Sequence, residues 1–400
     1  MEQLRRAALP QKVNGMRLLV VDEEIIAGGV ETLRRQLMPE LARQVTEIVW
    51  VLPGHAADQY RELAERCGNV RTETLNSPGG LGRLKEGVAR RVSGAVPRRL
   101  VDERLGRLAR EHGCDVCMTT CTFGQEMPVM QLPVVGFVSD VNPALPERIR
   151  DNICKWVERA VRTFTISDFT CSELTRLKPA CAEKIYSIPL APPRGVKAGG
   201  NVTRGSFYYP AAPNAHKNHL TLLEAARGVA ERGIEFRLTF TGAGMDGFAR
   251  PGAGNEVIGR MRSYLEDNRT LLDGRVTVMG DEGDAEVARL FAEASCVVLP
   301  SSYEGYGLPL AEALAYGKRV ICADIAPFRE QIERHGCERL ATMVPVRDAG
   351  ALEEAMLRHL KEDTSAEYTA EELQERLGRW TWTDAAERCR KLLEEVAGRG

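Results

Sequence analysis

Residues 296–312, CVVLPSSYEGYGLPLAE, constrain this chain more than any other stretch, because an apolar run passes into a helix through a loop carrying two glutamates eight positions apart. The run from Cys296 to Leu299 has the composition of a strand covered on both faces of a parallel sheet. Pro300, Ser301, Ser302, Gly305 and Gly307 then break it. Pro309 reads as the first residue of the following helix, where a fixed φ and a missing N–H cost little. Gly305 and Gly307 let backbone N–H groups approach a ligand with no Cβ in the way, and a helix start adds partial positive charge suited to phosphate. Glu304 is expected at the carboxyl edge of the sheet, where open α/β sheets bind ligands, and Glu312 about one turn into the helix. One carboxylate can then face a sugar and the other a ribose, so the stretch points to a nucleotide-sugar site.

Strand-like runs alternate with helical stretches along the whole chain, which argues for parallel sheets. Residues 16–21, 45–52, 70–75, 115–119, 134–138, 163–166 and 184–188 form one group of strands. Residues 206–209, 236–241, 275–279, 296–299 and 319–323 form a second. Between the groups lies Ala191-Pro-Pro-Arg-Gly-Val-Lys-Ala-Gly-Gly200, rich in Pro and Gly and without periodicity. Four hundred residues exceed one ordinary core, so two domains of about 180 to 200 residues are expected.

Five separated segments resemble the retaining glycosyltransferases of the GT-B fold, specifically family 4. They are Glu304-x7-Glu312 enclosing GYGLP, Gly317-Lys-Arg-Val-Ile-Cys-Ala-Asp324, the glycine-rich Gly28-Gly29-Val30-Glu31, the HKN segment His216-Lys217-Asn218-His219, and Trp380-Thr-Trp382. The resemblance implies an α/β chain of GT-B architecture, two Rossmann-like domains with parallel sheets facing across a cleft. Residues 1–190 would bind acceptor, 191–204 would be the hinge, and 205–382 would bind donor, with the last helix, 383–400, crossing back onto the first domain. The reaction implied is transfer of a hexosyl group from a UDP- or GDP-linked sugar to an acceptor hydroxyl, with retention.

Under that resemblance Glu304 contacts the donor sugar, Glu312 the ribose, and Lys217 the diphosphate. Vicinal hydroxyls donate well to a carboxylate, which is why the residue type matters. Gly305, Tyr306, Gly307 and Leu308 belong to the same donor loop, and Gly242 and Gly280 mark two loops expected around the base. An ordinary strand exit would select Gly242 equally well. Lys217, expected to open a helix over 220–231, has as its plain alternative a solvated helix start. Most family members carry an arginine six positions before this lysine; Ala211 stands there, so Lys318 or Arg319 is a candidate replacement. Gly28 and Gly29 are expected near the diphosphate or sugar, although a tight turn before a helix also needs them. Asp140 follows the strand at 134–138 where many members have a histidine, and is read as an acceptor contact or base. Glu31 either caps its helix or reaches the acceptor.

No Asp-x-Asp tripeptide occurs, so the expected enzyme uses no metal and no cofactor beyond the donor substrate. Cys114-x2-Cys117-x3-Cys121 is the one cysteine cluster; it lacks a fourth ligand for structural zinc and reads as packing of reduced thiols. With 28% charged residues and a net charge of −2, nothing suggests nucleic acid as partner. Residues 1–15 contain no apolar signal-like core and no later run is long enough to span a bilayer, so a cytoplasmic protein is expected. Residues 83–110 hold nine basic and three acidic side chains among spaced leucines and valines. They form either two solvated helices packed on an apolar face or a peripheral membrane patch serving a lipid-linked acceptor. Glycans and small molecules are the other acceptor classes, and the sequence is silent on oligomeric state. Other GT-B activities, an epimerase or a phosphorylase, and a non-catalytic nucleotide- or glycan-binding protein are the alternative functions.

Overall fold

The computed structural model describes residues 15–24, 29–75, 97–195, 197, 201–250, 252–362 and 367–398. It divides into one compact unit of Met1–Leu190 with Trp382–Gly400, and a second of Ala191–Thr381.

The first unit is a seven-stranded parallel sheet: β1 (Arg17–Val21), β2 (Glu47–Leu52), β3 (Val70–Thr74), β4 (Val116–Thr119), β5 (Val134–Val138), β6 (Arg162–Thr165) and β7 (Ile185–Ser187), in the order β3-β2-β1-β4-β5-β6-β7. β1, β4 and β5 are apolar over nearly their whole length because helices cover both faces. The helix Trp382–Val396 closes this unit through Trp382, Ala385, Ala386, Cys389, Leu392 and Leu393, an apolar stripe at helical spacing. Thr383 Oγ1 donates to Glu40 Oε2 at 2.8 Å, and Arg388 Nε to the Ser187 carbonyl at 2.6 Å.

At the end of β1 the structure buries an ion pair that the hydrophobic pattern does not reveal. Asp22 and Arg34 are both 0% exposed, with Arg34 Nε 3.2 Å from Asp22 Oδ2. Asp22 also accepts from Trp50 Nε1 at 2.9 Å, from Thr120 N at 3.0 Å and from Thr120 Oγ1 at 2.8 Å, so one carboxylate ties β1 to β2 and to the exit of β4. Arg34 Nη2 donates to the Glu24 carbonyl at 2.9 Å.

The second unit is a six-stranded parallel sheet: β8 (Ser206–Pro210), β9 (Arg237–Thr241), β10 (Val276–Val278), β11 (Cys296–Leu299), β12 (Arg319–Ala323) and β13 (Ala341–Val344), in the order β10-β9-β8-β11-β12-β13. The edge strand β13 has no counterpart in the sequence reading: Met343 is exposed and Ala341 and Thr342 are half-buried, so neither an alternating nor a continuous apolar signal marks it. The winding reverses between β8 and β11, which are neighbours although far apart in sequence. Loops leaving adjacent strands at such a switch point diverge and leave a crevice at the carboxyl edge.

The eleven cysteines are all free. Burial pushes the Cys114 thiol up to about 12 and Cys121 to about 11. Among the described residues no group of three His, Cys, Asp or Glu side chains is placed to hold a metal ion, and no helix is long and apolar enough to cross a membrane. Of the basic segment at 83–110, residues 83–96 lie outside the described residues. In the helix Arg98–His112, Arg98 pairs with Glu23 at 2.6 Å and Asp102 at 3.0 Å, and Arg99 with Glu103 at 2.9 Å.

Replacing Arg34 by Met strands Asp22 as an uncompensated buried charge, and we expect a loss of about 3 kcal/mol in the first unit. Urea unfolding followed by tryptophan fluorescence measures it, since Trp50, Trp156 and Trp382 all lie in that unit. A loss below about 1 kcal/mol would show that the remaining hydrogen bonds to Asp22 suffice.

Candidate functional site

The exits of β8 and β11 carry the residues that matter most, and the geometry there differs from a simple strand-to-helix turn. After β8 the chain makes a short 3-10 turn, Ala215–Lys217, and only then enters the helix His219–Glu231. Asn218 separates the two with a left-handed backbone, φ 53°, one of two such non-glycine residues among those described. Lys217 therefore ends a separate turn rather than opening a helix, and this correction has a cause: asparagine tolerates the left-handed region better than most side chains. The Asn218 side chain secures the conformation, its Nδ2 donating to the Pro300 carbonyl at 2.8 Å.

Three further contacts fix the turn. Tyr209 Oη donates to the Lys217 carbonyl at 2.6 Å, Ser302 N donates to the His216 carbonyl at 2.7 Å, and Ser302 Oγ reaches the same carbonyl at 3.2 Å. His219 is buried against the Tyr209 and Phe240 rings, with Nε2 3.3 Å from the Ala211 carbonyl. Burial lowers its pKa to about 4, so it is a neutral packing element. Burial likewise lowers the pKa of His216, helped by the neighbouring Lys217 charge.

Held this way, Lys217 Nζ lies 2.7 Å from Glu304 Oε1 and 2.8 Å from Oε2. The two side chains are 15% and 11% exposed, so Lys217 is not a solvated surface lysine. One ammonium thus meets both oxygens of one carboxylate at the β8–β11 switch point.

The loop beyond Glu304 closes on Gly307, whose φ of 94° and whose neighbourhood both demand glycine: a Cβ there would sit 2.5 Å from Phe328 Cε1. Gln331 Nε2 donates to the Tyr306 carbonyl at 2.5 Å and holds the loop from below. Because Gly307 is the N-cap, the helix runs Leu308–Ala315 and Pro309 is its second residue, not its first. Its missing N–H falls among the first four, which have no partner inside the helix. Tyr306 is 2% exposed and its side chain is part of the core. Glu312, one turn into the helix, is half-buried. Its pKa is raised to about 7, first by burial, with Lys197 pulling down and Asp284 pushing up.

Gly242 and Gly280 meet at backbone distance, Gly242 N donating to the Gly280 carbonyl at 3.2 Å. A Cβ at Gly242 would lie 2.5 Å from the Ala211 carbonyl carbon, and one at Gly280 2.2 Å from Asp246 Oδ1, so close packing of the loops accounts for both glycines. Neither candidate for the absent arginine reaches this edge. Lys318 Nζ donates to the Ala292 carbonyl at 2.6 Å at the opposite, amino edge, and Arg319 pairs with Glu362 at 2.7 Å and Glu367 at 2.6 Å.

The remaining candidates belong to the first unit. Asp140 follows β5 and accepts from Asn142 N at 2.7 Å, closing its own turn. Gly29 begins the helix Gly29–Ala42, and Gly28 lies outside the described residues. Glu31 accepts from Arg35 Nε and Gln59 Nε2, both at 2.9 Å.

Residues 199–378 match the family described as Glycosyl transferases group 1. A phosphatidyl-myo-inositol mannosyltransferase of Mycolicibacterium smegmatis is 28% identical over 146 residues, 36% of this chain and 37% of that protein. An O-antigen chain mannosyltransferase B of Escherichia coli is 24% identical over 226 residues, 52% of this chain and 54% of its own length. The matched stretches therefore span about half or less of these relatives. The HepE protein of Anabaena, solved in complex with UDP and glucose, superposes with a TM-score of 0.69 at 15% identity, covering 95% of this chain and 99% of that one.

The raised pKa of Glu312 makes a signed prediction. From its ordinary value of 4.5 up to about 7 the folded state holds a proton that the unfolded chain has lost, so rising pH erodes stability across that window. Glu312→Gln is expected to gain about 2 kcal/mol relative to wild type between pH 5 and pH 8, measured by urea unfolding at each pH. A pH-independent difference would mark Glu312 as an ordinary carboxylate.

Proposed function

We propose, from the match of residues 199–378 to the family described as Glycosyl transferases group 1 and from the two-domain GT-B α/β fold, that the protein is a retaining hexosyltransferase using a nucleoside diphosphate sugar. The observation that carries this reading is the bidentate Lys217–Glu304 pair at the β8–β11 switch point, with Glu312 one turn into the adjoining helix.

Breaking the glycosidic bond builds negative charge on the departing diphosphate, and catalysis requires that charge to be met more strongly in the transition state than before it. In this reading Lys217 meets it, assisted by the backbone N–H groups at Gly307 and Leu308 and the start of the helix Leu308–Ala315. Glu304 accepts hydrogen bonds from the sugar and Glu312 from the ribose. The loops at Gly242 and Gly280 flank the base. Positive charge supplied by the protein takes the part that a metal plays elsewhere, so transfer is expected without one. Gly28, Gly29 and Asp140 are assigned to the acceptor half of the reaction. The acceptor is a glycan, a lipid-linked sugar or a small-molecule hydroxyl. The M. smegmatis relative, named for a phosphatidyl-inositol substrate, favours a membrane-associated acceptor, with the enzyme acting from the cytoplasmic face.

A melting-temperature screen against UDP, GDP, ADP and dTDP and their sugars tests the donor class, since a ligand that binds only the folded state raises Tm. A selective rise with one nucleotide is expected; no rise with any at saturating concentration would overturn the reading. Transfer should persist in EDTA, and full loss restored by magnesium or manganese would refute metal independence. Lys217→Ala and Glu304→Gln are each expected to lower kcat/KM by about 100-fold or more, and wild-type rates in both would refute the site.

A further inference from the structure

We propose that Glu304 gates Lys217, so that the site discriminates a nucleoside diphosphate sugar from the bare nucleoside diphosphate left after transfer; this rests on the function proposed above. Both oxygens of Glu304 lie within hydrogen-bond distance of one ammonium, so two of its three N–H donors face this carboxylate. With side chains only 15% and 11% exposed, the pair is poorly screened by solvent. The backbone on each side is fixed: Asn218 and Tyr209 pin the turn that carries Lys217, and Ser302 pins the loop that carries Glu304. Rotation of either side chain parts the two groups without moving these anchors.

A diphosphate reaching Lys217 must therefore displace Glu304 from it or share it. Sharing sets two anions beside one cation, and displacement leaves a largely buried carboxylate short of donors. A donor sugar cancels that penalty, because its hydroxyls are donors at the place where Glu304 is left unpaired. The bare diphosphate offers no such group and carries more negative charge. Glu304 thus raises the cost of binding the product more than that of binding the donor. It couples the sugar and phosphate subsites, and such couplings are typically worth roughly 5- to 150-fold in affinity.

Calorimetric titration of the full chain with UDP, GDP, UDP-glucose and GDP-mannose tests this in wild type, Glu304→Gln, Lys217→Ala and the double variant, each checked for folding by its melting curve. For the nucleotide that wild type prefers, Glu304→Gln is expected to bind the diphosphate about tenfold tighter and the diphosphate sugar no tighter. Lys217→Ala should weaken the diphosphate, and in that background Glu304→Gln should bring no gain. Unchanged diphosphate affinity in Glu304→Gln, an equal gain for diphosphate and sugar, or a gain that survives in the Lys217→Ala background would each overturn the gate while leaving the glycosyltransferase reading intact. Failure of wild type to bind any of the four ligands, together with no rise in melting temperature with ADP or dTDP and their sugars, would remove that reading itself, and the gate with it.

Discussion

Everything at the candidate site hangs on the hydrogen bonds that tie the exit of β8 to the exit of β11. The His216 and Pro300 carbonyls and the Lys217 carbonyl are each met by a donor from another segment: Ser302 N, Asn218 Nδ2 and Tyr209 Oη. A lysine on a free loop would sample many rotamers, and ordering it costs up to about 2 kcal/mol of side-chain entropy. Here the carrier turn is anchored by backbone carbonyls, which have fixed positions, so much of the ordering is built into the fold. The left-handed Asn218 is part of the same device: its strained backbone is held because its own side chain closes onto Pro300.

The polar residues cluster where the parallel sheets require it. Strands β8 and β11 are neighbours with opposite winding, so their exit loops part and open a crevice that the packed helices cannot fill. The first sheet has the same reversal between β1 and β4, and there the Asp22–Arg34 pair is buried with Thr120 and Trp50. The two switch points thus handle charge in contrasting ways. One pair is fully excluded from water and serves the fold, whereas the Lys217–Glu304 pair keeps a margin of exposure through which a ligand can compete.

What the sequence disclosed follows from what its signals measure. Apolar runs that fill the middle of a sheet, such as β5 and β11, were legible to the residue, because continuous burial leaves continuous hydrophobicity. β13 was not, since an edge strand with an exposed Met343 carries no periodic pattern. At the site, glycines and glutamates at fixed spacing were visible as types. The break at Asn218 was hidden because a single left-handed residue leaves no periodic trace, although an asparagine between a lysine and a helical pattern is a chemical hint. Tyr306 shows the converse: its place in the loop was legible, whereas the burial of its ring was not. The Asp22–Arg34 pair could not be read at all, being made by residues twelve positions apart whose partners lie on two other strands.

Charge balance explains why the pair at β8–β11 takes the form it does. The edge offers Lys217 already matched to Glu304, Arg329 matched to Asp324 at 2.5 Å, and a His216 whose pKa burial and the Lys217 charge lower. A lone ammonium 15% exposed would carry a desolvation penalty with nothing to offset it, and its pairing with Glu304 offsets part of that penalty as the protein folds. Under the proposed gate, attraction for a diphosphate is not displayed as a standing positive patch and becomes available only when the carboxylate finds other donors. Ala211 stands where, in the resembling family, an arginine would have added a second cation beside Lys217. Under the proposed function, phosphate recognition would then be won by rearrangement of one ion pair, and the identity of the group attached to the phosphate, rather than its charge alone, would be the quantity the site reads.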